Sequence, residues 1–408
     1  MTATTFPDRN ASAADKFLLG PKFLVREDEL MTVTGAIWRD QLTASERAVL
    51  GRADGGVDGA RPDVLVVGGG ILGVSTAYAC AEAGLGDVLL VETGRLGAGA
   101  TGGATGLLIP EPHQWSDPEP FVELERAGLE RWRELEQVVP GGVGLVELDW
   151  LGLAPHDSGY ALHQPRGVEW LNPGQVAELL PGLARPMEGA LIRRQGRVNP
   201  LRAVARLAAM LPAVATGVAA TSVMISGDRI ISIGTSSGDV SPGAVIFATG
   251  SPPVLDGLSL RIPSHRVKGH LLVTERTDVT LPGIVAPLAT QIENDQLLAG
   301  GTFDINDETP AVRSDVIDGI AAGIAAVLPR LNGVGVAYQW CCFRPRHPDW
   351  RPVIDRLPGI TNAWITSGHF RTGILNAPAT AAVLSRWISA GVPPAEAHTW
   401  SATRFGGT

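Results

Sequence analysis

Short, wholly apolar segments are the first pattern along the chain. Residues 63–67 (DVLVV), 87–92 (DVLLVE) and 244–247 (AVIF) are such segments. A continuous apolar run of this length is typical of a parallel strand buried on both faces. Between the first two lie GGGILG and a helical segment that ends at Gly84, a residue suited to a helix C-cap. The pattern therefore predicts one βαβ unit of about thirty residues.

Apolar residues at helical spacing form the second pattern, and they predict helices over 121–138, 200–211 and 312–327. The chain ends in a loop, ITSGHFRTG, that leads into one more long helix. Strand-like runs separated by Pro and Gly fill 143–195 and 265–303. Buried βαβ units interleaved with antiparallel-looking runs predict an α/β fold, with a discontinuous Rossmann-like dinucleotide-binding domain and a second domain built on an antiparallel sheet. The predicted segments are 61–142, 190–255 and 336–408 for the first domain, and 143–189 and 256–335 for the second.

Residues 1–60 differ from the body and are interpreted as an N-terminal extension. They mix charges with short apolar pieces and end in the Gly/Asp-rich GRADGGVDGARP, which is typical of a linker. Thr43 and Glu46 have the spacing of a capping box and predict a short helix. Two interpretations stay open: a partly ordered extension, or an arm that packs on the body, on a second copy or on a partner subunit.

Composition and charge narrow the class of protein. The formal net charge of −9 argues against a general nucleic-acid or acidic-membrane binder, which needs a basic surface. With 45% apolar residues, a large core is possible. Three cysteines exclude a disulfide scaffold and fit a reducing compartment. The N-terminus has no secretory pattern and no run is long enough to span a membrane, so a cytoplasmic protein is predicted.

The strongest local motif is Gly68-x-Gly70-x-x-Gly73, which follows a predicted strand and opens a predicted helix. Gly68 permits the tight turn, Gly70 lets the backbone approach a pyrophosphate, and Gly73 lets helix and strand pack closely. Glu92 ends the next strand, about 20 residues further on, where it can accept hydrogen bonds from ribose hydroxyls. This context predicts a dinucleotide site at the helix N-terminus.

Four segments narrow the choice of dinucleotide: VVGGGILGVSTAYACAEAG with VLLVE, GAGATGGATGLL, GRVNPLRAV and SGHFRTGILNAPATA. They resemble the FAD-dependent D-amino-acid oxidase superfamily, in its glycine oxidase and sarcosine oxidase branch. The resemblance extends from residue 63 to about residue 391 and is loose over 143–335. It implies that FAD is bound by residues of these segments and of the strand that ends at Ala248. The implied FAD-binding residues are Gly68, Gly70, Ile71, Leu72, Gly73, Glu92, Thr93, Ala100, Thr101, Gly103, Thr105, Gly106, Val218, Ala248, Thr249, Gly250, Cys342, Gly368, His369, Arg371, Thr372, Gly373 and Ile374.

The segment FRPRHPDWRPVI is similar to a substrate-binding stretch of the same family. The resemblance implies that Arg344 binds the substrate carboxylate, with Arg371 as a second substrate-binding residue. The planar guanidinium of Arg suits this task because it makes two charge-assisted bonds to a carboxylate. The alternative for Arg344 is a surface ion pair of little energetic worth. His347 and Asp355 depart from the family pattern, which leaves the shape of the carboxylate pocket open.

Two more residues acquire roles only through the resemblance. Cys342 has the spacing from Asp349 at which sarcosine oxidases attach the flavin covalently, but a buried, unlinked thiol and non-covalent FAD are favoured. Lys268 lies where the family places a basic residue that assists the reaction with oxygen, and a solvated lysine at a strand start is the alternative. The histidines show no metal-ligand spacing, so no metal is predicted.

The resemblance implies FAD-dependent oxidation of the Cα–N bond of a small amino or imino acid, or of an N-substituted glycine, to an imine, with oxygen reduced to hydrogen peroxide. Three alternatives stay open. They are a dehydrogenase with another electron acceptor, a non-catalytic flavin-binding subunit of a complex, and a flavin hydroxylase. The third is disfavoured because ITSGHFRTG stands where hydroxylases show a GDAAH-like segment.

Overall fold

The buried apolar segments become strands in the computed structural model, which describes residues 36–155 and 167–406. In chain order the described strands are β1 (Val64–Val67), β2 (Val88–Glu92), β3 (Leu107–Leu108), β4 (Val146–Pro155), β5 (Glu169–Leu171), β6 (Met187–Arg197), β7 (Ala213–Thr216), β8 (Ala220–Ser226), β9 (Arg229–Thr235), β10 (Gly238–Val240), β11 (Ala244–Gly250), β12 (His265–Thr274), β13 (Gly283–Ala286), β14 (Ala289–Gln291), β15 (Leu297–Gly300), β16 (Val336–Arg346), β17 (Val353–Arg356) and β18 (Ala363–Ser367). The described α-helices are α1 (Ala44–Val49), α2 (Ile71–Glu82), α3 (Glu119–Val138), α4 (Pro173–Leu179), α5 (Pro200–Ala208), α6 (Ser314–Val327) and α7 (Gly373–Ala390).

Six of these strands form a largely parallel sheet in the spatial order β17, β18, β11, β1, β2, β7. The central strand β1 pairs in parallel with β2 on one side and with β11 on the other, and it is buried along its whole length. Burial on both faces explains why its sequence is wholly apolar. The carboxyl ends of the central strands meet at one edge of the sheet, which is where open α/β folds form a ligand crevice.

The second sheet contains nine of the described strands in the order β16, β12, β15, β14, β13, β4, β6, β3, with β5 paired to β6. Its neighbouring strands are antiparallel except for β13 and β4, which run parallel. β8, β9 and β10 form a separate small antiparallel sheet, which shares a hydrophobic core with the parallel sheet. The predicted α/β class, with a parallel dinucleotide-binding sheet and a mainly antiparallel second sheet, is confirmed.

The predicted domain boundaries do not agree with the sheet membership of two long strands: β6 crosses the boundary at residue 190, and β16 begins at the boundary at residue 336. The sequence prediction assigns residues from 190 onward and from 336 onward to the dinucleotide-binding domain. In the structure β6 pairs with β4 and β16 pairs with β12, so both belong to the second sheet. The boundary prediction misplaces them because a strand's pairing partner is set by tertiary structure and not by its own apolar pattern.

Helix α2 packs on the parallel sheet, and α7 and α3 pack outside it. α2 packs against β1, β2 and β11, and α7 packs against both α2 and α3. The crossing of α3 and α7 is close, because a Cβ on Gly128 would overlap the carbonyl oxygen of Leu375. The indole N–H of Trp132 donates to the carbonyl of Ile374 at 3.0 Å. These contacts hold the first turn of α7 beside the sheet. Within the described ranges, no helix has both the length and the apolar character needed to cross a membrane.

The described part of the N-terminal extension, residues 36–60, packs on the body of the same chain. Trp38 is fully buried and its indole N–H donates to the carbonyl of Ala104 at 2.8 Å. The capping box predicted for Thr43 and Glu46 is confirmed, and the Glu46 carboxylate also pairs with Arg206 at 2.9 Å. Of the two interpretations, an arm that packs on the body fits residues 36–60 better than a partly ordered extension. Residues 1–35 lie outside the described residues.

Candidate functional site

The turn between β1 and α2 is built from glycines that have no room for a side chain. Gly68 has a φ of +113°, and a Cβ on it would lie 2.5 Å from the carbonyl oxygen of Ala248. A Cβ on Gly73 would overlap the carbonyl oxygen of Gly68. Gly70 is the N-cap of α2 and has extended backbone, and the first residues of the helix, Ile71 and Leu72, line a cavity. This turn suits a bound pyrophosphate.

Glu92 and Thr101 complete this end of the cavity. The Glu92 carboxylate accepts hydrogen bonds from the backbone N–H groups of Gly69 at 2.5 Å and Gly94 at 2.9 Å. These bonds fix the carboxylate at the carboxyl end of β2, in the cavity wall. The Thr101 hydroxyl accepts from the N–H of Ile71 at 3.1 Å and so ties the second Gly-rich loop to the start of α2.

One cavity of about 560 Å³ extends from this turn to the second sheet. Glycines line one end and a cationic side chain lines the other, an arrangement that fits a dinucleotide in extended form. The predicted residues that line it are Gly68, Gly70, Ile71, Leu72, Glu92, Thr93, Ala100, Thr101, Gly103, Thr105, Val218, Ala248, Thr249, Gly250, Cys342, Arg344, His369, Arg371, Thr372, Gly373 and Ile374.

Three predicted glycines lie behind the wall and not in it. Gly73 lets α2 approach β1, as described above. Gly106 has a φ of +74°, and a Cβ there would overlap the carbonyl oxygen of Val198. Gly368 has a φ of +70°, and a Cβ there would overlap the ring of His347. Each supports the cavity by allowing close packing.

Arg344 is a cation in the cavity wall with no acidic partner among the described residues. Its Nη1 donates to the carbonyl of Thr302 at 2.8 Å, and its guanidinium lies 5.2 Å from the ring centre of Phe303. Burial lowers the pKa of the guanidinium, as expected for a charge that has left bulk water without a counterion. Gly269 makes room for it, because a Cβ there would overlap the guanidinium. Within the part of the chain that the structure describes, Arg344 therefore forms no surface ion pair.

Lys268 lies on the opposite face of β12 from Gly269 and is not in the cavity wall. Its side chain is fully buried, and its ammonium donates to Asp307 Oδ2 at 2.8 Å, Thr309 Oγ1 at 3.2 Å and the carbonyl of Ala311 at 2.7 Å. Side chains alternate across a strand, so Lys268 and Gly269 cannot both face the cavity. The side chain of Lys268 is therefore not solvated, and its ammonium lies on the side of β12 away from the cavity.

The C-terminal signature lines the cavity beside the start of α7. His369 is buried, which lowers the pKa of its imidazole to about 3, and its Nε2 is 2.9 Å from the hydroxyl of Thr366. Arg371 is in the wall, but its Nη2 is 2.7 Å from Asp117 Oδ2, so this cation is already paired. Of the two predicted carboxylate-binding arginines, Arg344 is the one with free charge.

Cys342 faces the cavity, whereas its neighbour Cys341 faces the other side of β16. The Cys342 thiol lies 3.3 Å from the carbonyl of Gly103, to which it donates. Burial raises the pKa of this thiol. A covalent link would need the thiolate, so this environment fits the favoured non-covalent FAD.

The structure adds an ionisable pair that sequence reasoning did not select. His113 lines the cavity, and its Nδ1 is 2.7 Å from Oε2 of the fully buried Glu125 on α3. Burial raises the pKa of Glu125 to about 9 and lowers the pKa of His113 to about 3. The aromatic rings of Phe303 and Phe370, 5.8 Å apart, also line the cavity. Isolated His, Glu and Phe residues give no sequence pattern that could have marked them.

Comparisons with known proteins bear on the family and the fold of the chain. A family model described as FAD dependent oxidoreductase matches residues 63–387. The chain is 27% identical over 352 residues to a glycine oxidase of Pseudomonas aeruginosa, covering 81% of this chain and 95% of that protein. It is 28% identical to a sarcosine oxidase subunit beta of Rhizobium meliloti, covering 84% and 88%. The glycine oxidase structure from Geobacillus kaustophilus has the same fold, with a TM-score of 0.75, 23% identity, and coverage of 85% of this chain and 99% of that one.

Proposed function

The chain belongs to the FAD-dependent oxidoreductase family, and from this premise we propose that it oxidises the Cα–N bond of a small amino acid or N-substituted glycine to an imine, with oxygen reduced to hydrogen peroxide. Oxidation removes two electrons and two protons from the substrate. Water then adds to the imine and releases an oxo acid and an amine. The two electrons and two protons account for the conversion of oxygen to hydrogen peroxide.

The residues of the cavity fit FAD, which supplies the two-electron oxidant when bound. The glycine turn at Gly68 and the N-terminus of α2 would hold the pyrophosphate, and Glu92 would bind ribose hydroxyls. The first turn of α7, at Gly373, would lie beside the flavin ring. We propose that the cofactor is held without a covalent bond, in keeping with the protonated thiol of Cys342.

The observation that supports the substrate class is that the guanidinium of Arg344 has no acidic partner in the described ranges of the chain. A partly buried cation without a counterion is costly, and a substrate carboxylate would supply the missing charge. Gly269 and the carbonyl of Thr302 fix the guanidinium, so the bound carboxylate would be oriented as well as neutralised. Fixing the carboxylate also fixes the Cα–H and the amine relative to the rest of the cavity.

The other ionisable groups near Arg344 offer no free negative charge that could pair with a protonated substrate amine. Arg371 is neutralised by Asp117, and His369 is neutral. A positive site of this kind favours the substrate with its carboxylate ionised and its amine neutral, the form from which a Cα–N bond is oxidised. No strong protein base is then required.

Two alternatives are kept because they predict different electron acceptors or partners. A dehydrogenase would give its electrons to a carrier other than oxygen. A flavin-binding subunit would need a second chain for activity, and the similarity to a sarcosine oxidase subunit beta supports testing this. The buried, unpaired cysteines are consistent with the proposed reducing, cytoplasmic compartment.

The test is the anaerobic absorption spectrum of the purified yellow protein with glycine, sarcosine, D-alanine, D-proline and N-alkyl glycines. Bleaching of the flavin band by at least one compound is expected, followed by recovery of the band and peroxide formation on admission of air. Bleaching without recovery in air would favour the dehydrogenase. A protein that no compound bleaches would refute the simple amino-acid assignment.

A further inference from the structure

A buried histidine–carboxyl pair borders the substrate end of the cavity and has no part in the function proposed above. Glu125 is fully buried in α3, and its Oε1 has no hydrogen-bond partner within the described parts of the chain. Its Oε2 is 2.7 Å from Nδ1 of His113. The other ring nitrogen of His113, Nε2, makes no hydrogen bond to a described residue, although the ring lines the cavity.

The environment of the pair determines which ring nitrogen carries a proton. Burial and the nearby carboxylates of Asp117 and Glu111 raise the pKa of Glu125 to about 9. Arg371 and Arg126 lower this pKa, but by less. Burial and Arg371 lower the pKa of His113 to about 3, against a smaller opposing effect of Asp117. At neutral pH the carboxylic acid therefore donates to Nδ1, and Nε2 is left as an N–H donor.

A bound metal ion is the competing explanation for this cluster. Ligand atoms of His113, Asp117 and Glu125 lie within 4.8 Å of one another. However, Arg371 Nη2 is 2.7 Å from Asp117 Oδ2, so a fixed cation already uses that carboxylate. A metal ion would have to compete with Arg371 for the carboxylate of Asp117, which disfavours a metal. A neutral pair of His113 and Glu125 beside the paired Arg371 leaves no charge unbalanced.

We propose that His113 is a substrate-binding residue whose Nε2–H selects substrates with a neutral hydrogen-bond acceptor in addition to the α-carboxylate bound by Arg344. Glu125 is the positioning residue that fixes the tautomer of His113. The acceptor is expected to be uncharged, such as an ether, carbonyl or amide oxygen on the side chain or N-substituent. Arg344 supplies one uncompensated positive charge, and one carboxylate already neutralises it. This inference rests on the proposed function, because it assumes that Arg344 binds a carboxylate.

The test compares matched carboxylates that differ by one ether oxygen. The pairs are butanoate with methoxyacetate, and pentanoate with 3-methoxypropanoate. Dissociation constants are measured on the FAD-containing protein from the change each ligand causes in the flavin absorption spectrum. The wild-type protein should bind the ether about five- to tenfold more tightly in at least one pair, the effect of one hydrogen bond in a pocket. His113→Gln, which keeps an N–H donor, should retain the preference, and His113→Leu should lose it.

The pH dependence provides a test that needs no variant at His113. When Glu125 loses its proton, its carboxylate accepts from Nδ1–H and Nε2 becomes an acceptor. The preference for the ether should therefore disappear as pH rises through about 9, while both ligands still bind Arg344. Glu125→Gln cannot ionise and can still donate to Nδ1, so it should keep the preference at pH 10.

Several results would overturn the proposal, and they differ from failure of the proposed function. Equal binding of both members of each pair in the wild-type protein would refute the role of His113, as would a preference that survives in His113→Leu. A preference that still disappears at high pH in Glu125→Gln would refute the role of Glu125. Stoichiometric zinc whose removal abolishes the preference would assign the cluster to a metal. If none of the carboxylates changes the spectrum, the carboxylate site at Arg344 itself is wrong.

Discussion

Replacing Lys268 by methionine separates a structural role from a role in the reaction with oxygen. Methionine keeps an apolar side chain of similar length but removes the ammonium that donates to Asp307, Thr309 and the carbonyl of Ala311. These three acceptors belong to the loop 301–313, whose Gly301 and Phe303 line the cavity. The structure therefore predicts that the variant loosens this loop.

The size of the effect follows from the burial of the ion pair. The Lys268 side chain is fully buried and that of Asp307 is 18% exposed, so the unpaired carboxylate regains some water. Loss of one partner from such a partly exposed pair costs about 2 to 3 kcal/mol, which is at or below the lower end of the range for fully buried pairs. Local opening of the loop should then be roughly 30- to 150-fold more frequent.

Hydrogen exchange of peptides that span the loop 301–313 measures this opening directly in the FAD-containing protein. Asp307→Asn should weaken protection at least as much, because it leaves the fully buried ammonium of Lys268 without its counterion. The double variant should be no worse than either single variant, because all three remove the same interaction. The pKa of Asp307 is held well below its usual range, first by Lys268 and then by Thr309. Its ionised form therefore stabilises the loop above about pH 4, and this stabilisation is lost as the pH falls further.

Unchanged exchange in Lys268→Met would refute the anchoring role. A second refuting result is a large fall in the rate at which oxygen reoxidises the reduced protein, without any change in exchange. That combination would restore the assignment of Lys268 to the oxygen reaction, which the sequence resemblance implies and the position of the ammonium does not support.

Three further predictions test the cofactor and substrate sites. Arg344→Gln should lower kcat/KM for the best substrate at least 100-fold, since two charge-assisted bonds are worth about 3 kcal/mol or more, while Arg276→Gln, which changes a surface arginine that is 74% exposed, should have no effect. Retention of full activity by Arg344→Gln would contradict the carboxylate site. Gly73→Ala should yield a protein that cannot hold FAD, because its Cβ would overlap the Gly68 carbonyl, whereas Gly319→Ala has open space around its Cβ and should stay yellow. Cys342→Ser should release as much FAD on acid precipitation as the wild-type protein. FAD that stays with the wild-type precipitate and is released only from the variant would demonstrate a covalent link.

The dinucleotide-binding turn could be predicted from the sequence because its physics is local. Gly68 needs a positive φ, Gly73 must leave space for a carbonyl group, and both requirements appear as glycine at fixed spacing. Glu92 follows because the next strand of a βαβ unit ends beside the same turn. The prediction of these residues requires no knowledge of the second sheet, whose boundaries were not predicted correctly from the sequence.

Which side chains of β12 face the cavity could not be predicted from the sequence. Every residue from Val267 to Thr274 is buried, so no alternation of polar and apolar residues indicates which side meets the cavity. Only the three-dimensional structure shows that Gly269 lies on the cavity side and Lys268 on the other. The pair of His113 and Glu125 was equally inaccessible, because a loop residue and a helix residue meet there through tertiary packing alone.

Both faces of β12 nevertheless help to position the guanidinium of Arg344. On the cavity side, Gly269 leaves the space that the guanidinium of Arg344 occupies. On the other side, the imidazole of His270 binds the loop 301–313: its Nε2 accepts from the N–H of Arg313 at 3.1 Å, which leaves Nδ1 as the donor to Asp304 at 3.1 Å.

Lys268 anchors the same loop, and the loop returns to the cavity at Thr302 and Phe303. The Thr302 carbonyl accepts from Arg344, and the Phe303 ring lies against its guanidinium. If Arg344 binds the substrate carboxylate as proposed, Lys268 would act on that carboxylate indirectly, through the loop and Arg344. Lys268→Met should accordingly weaken carboxylate binding and raise KM more than it lowers kcat. The opposite split, a lower kcat with unchanged KM, would mean that the loop does not position Arg344.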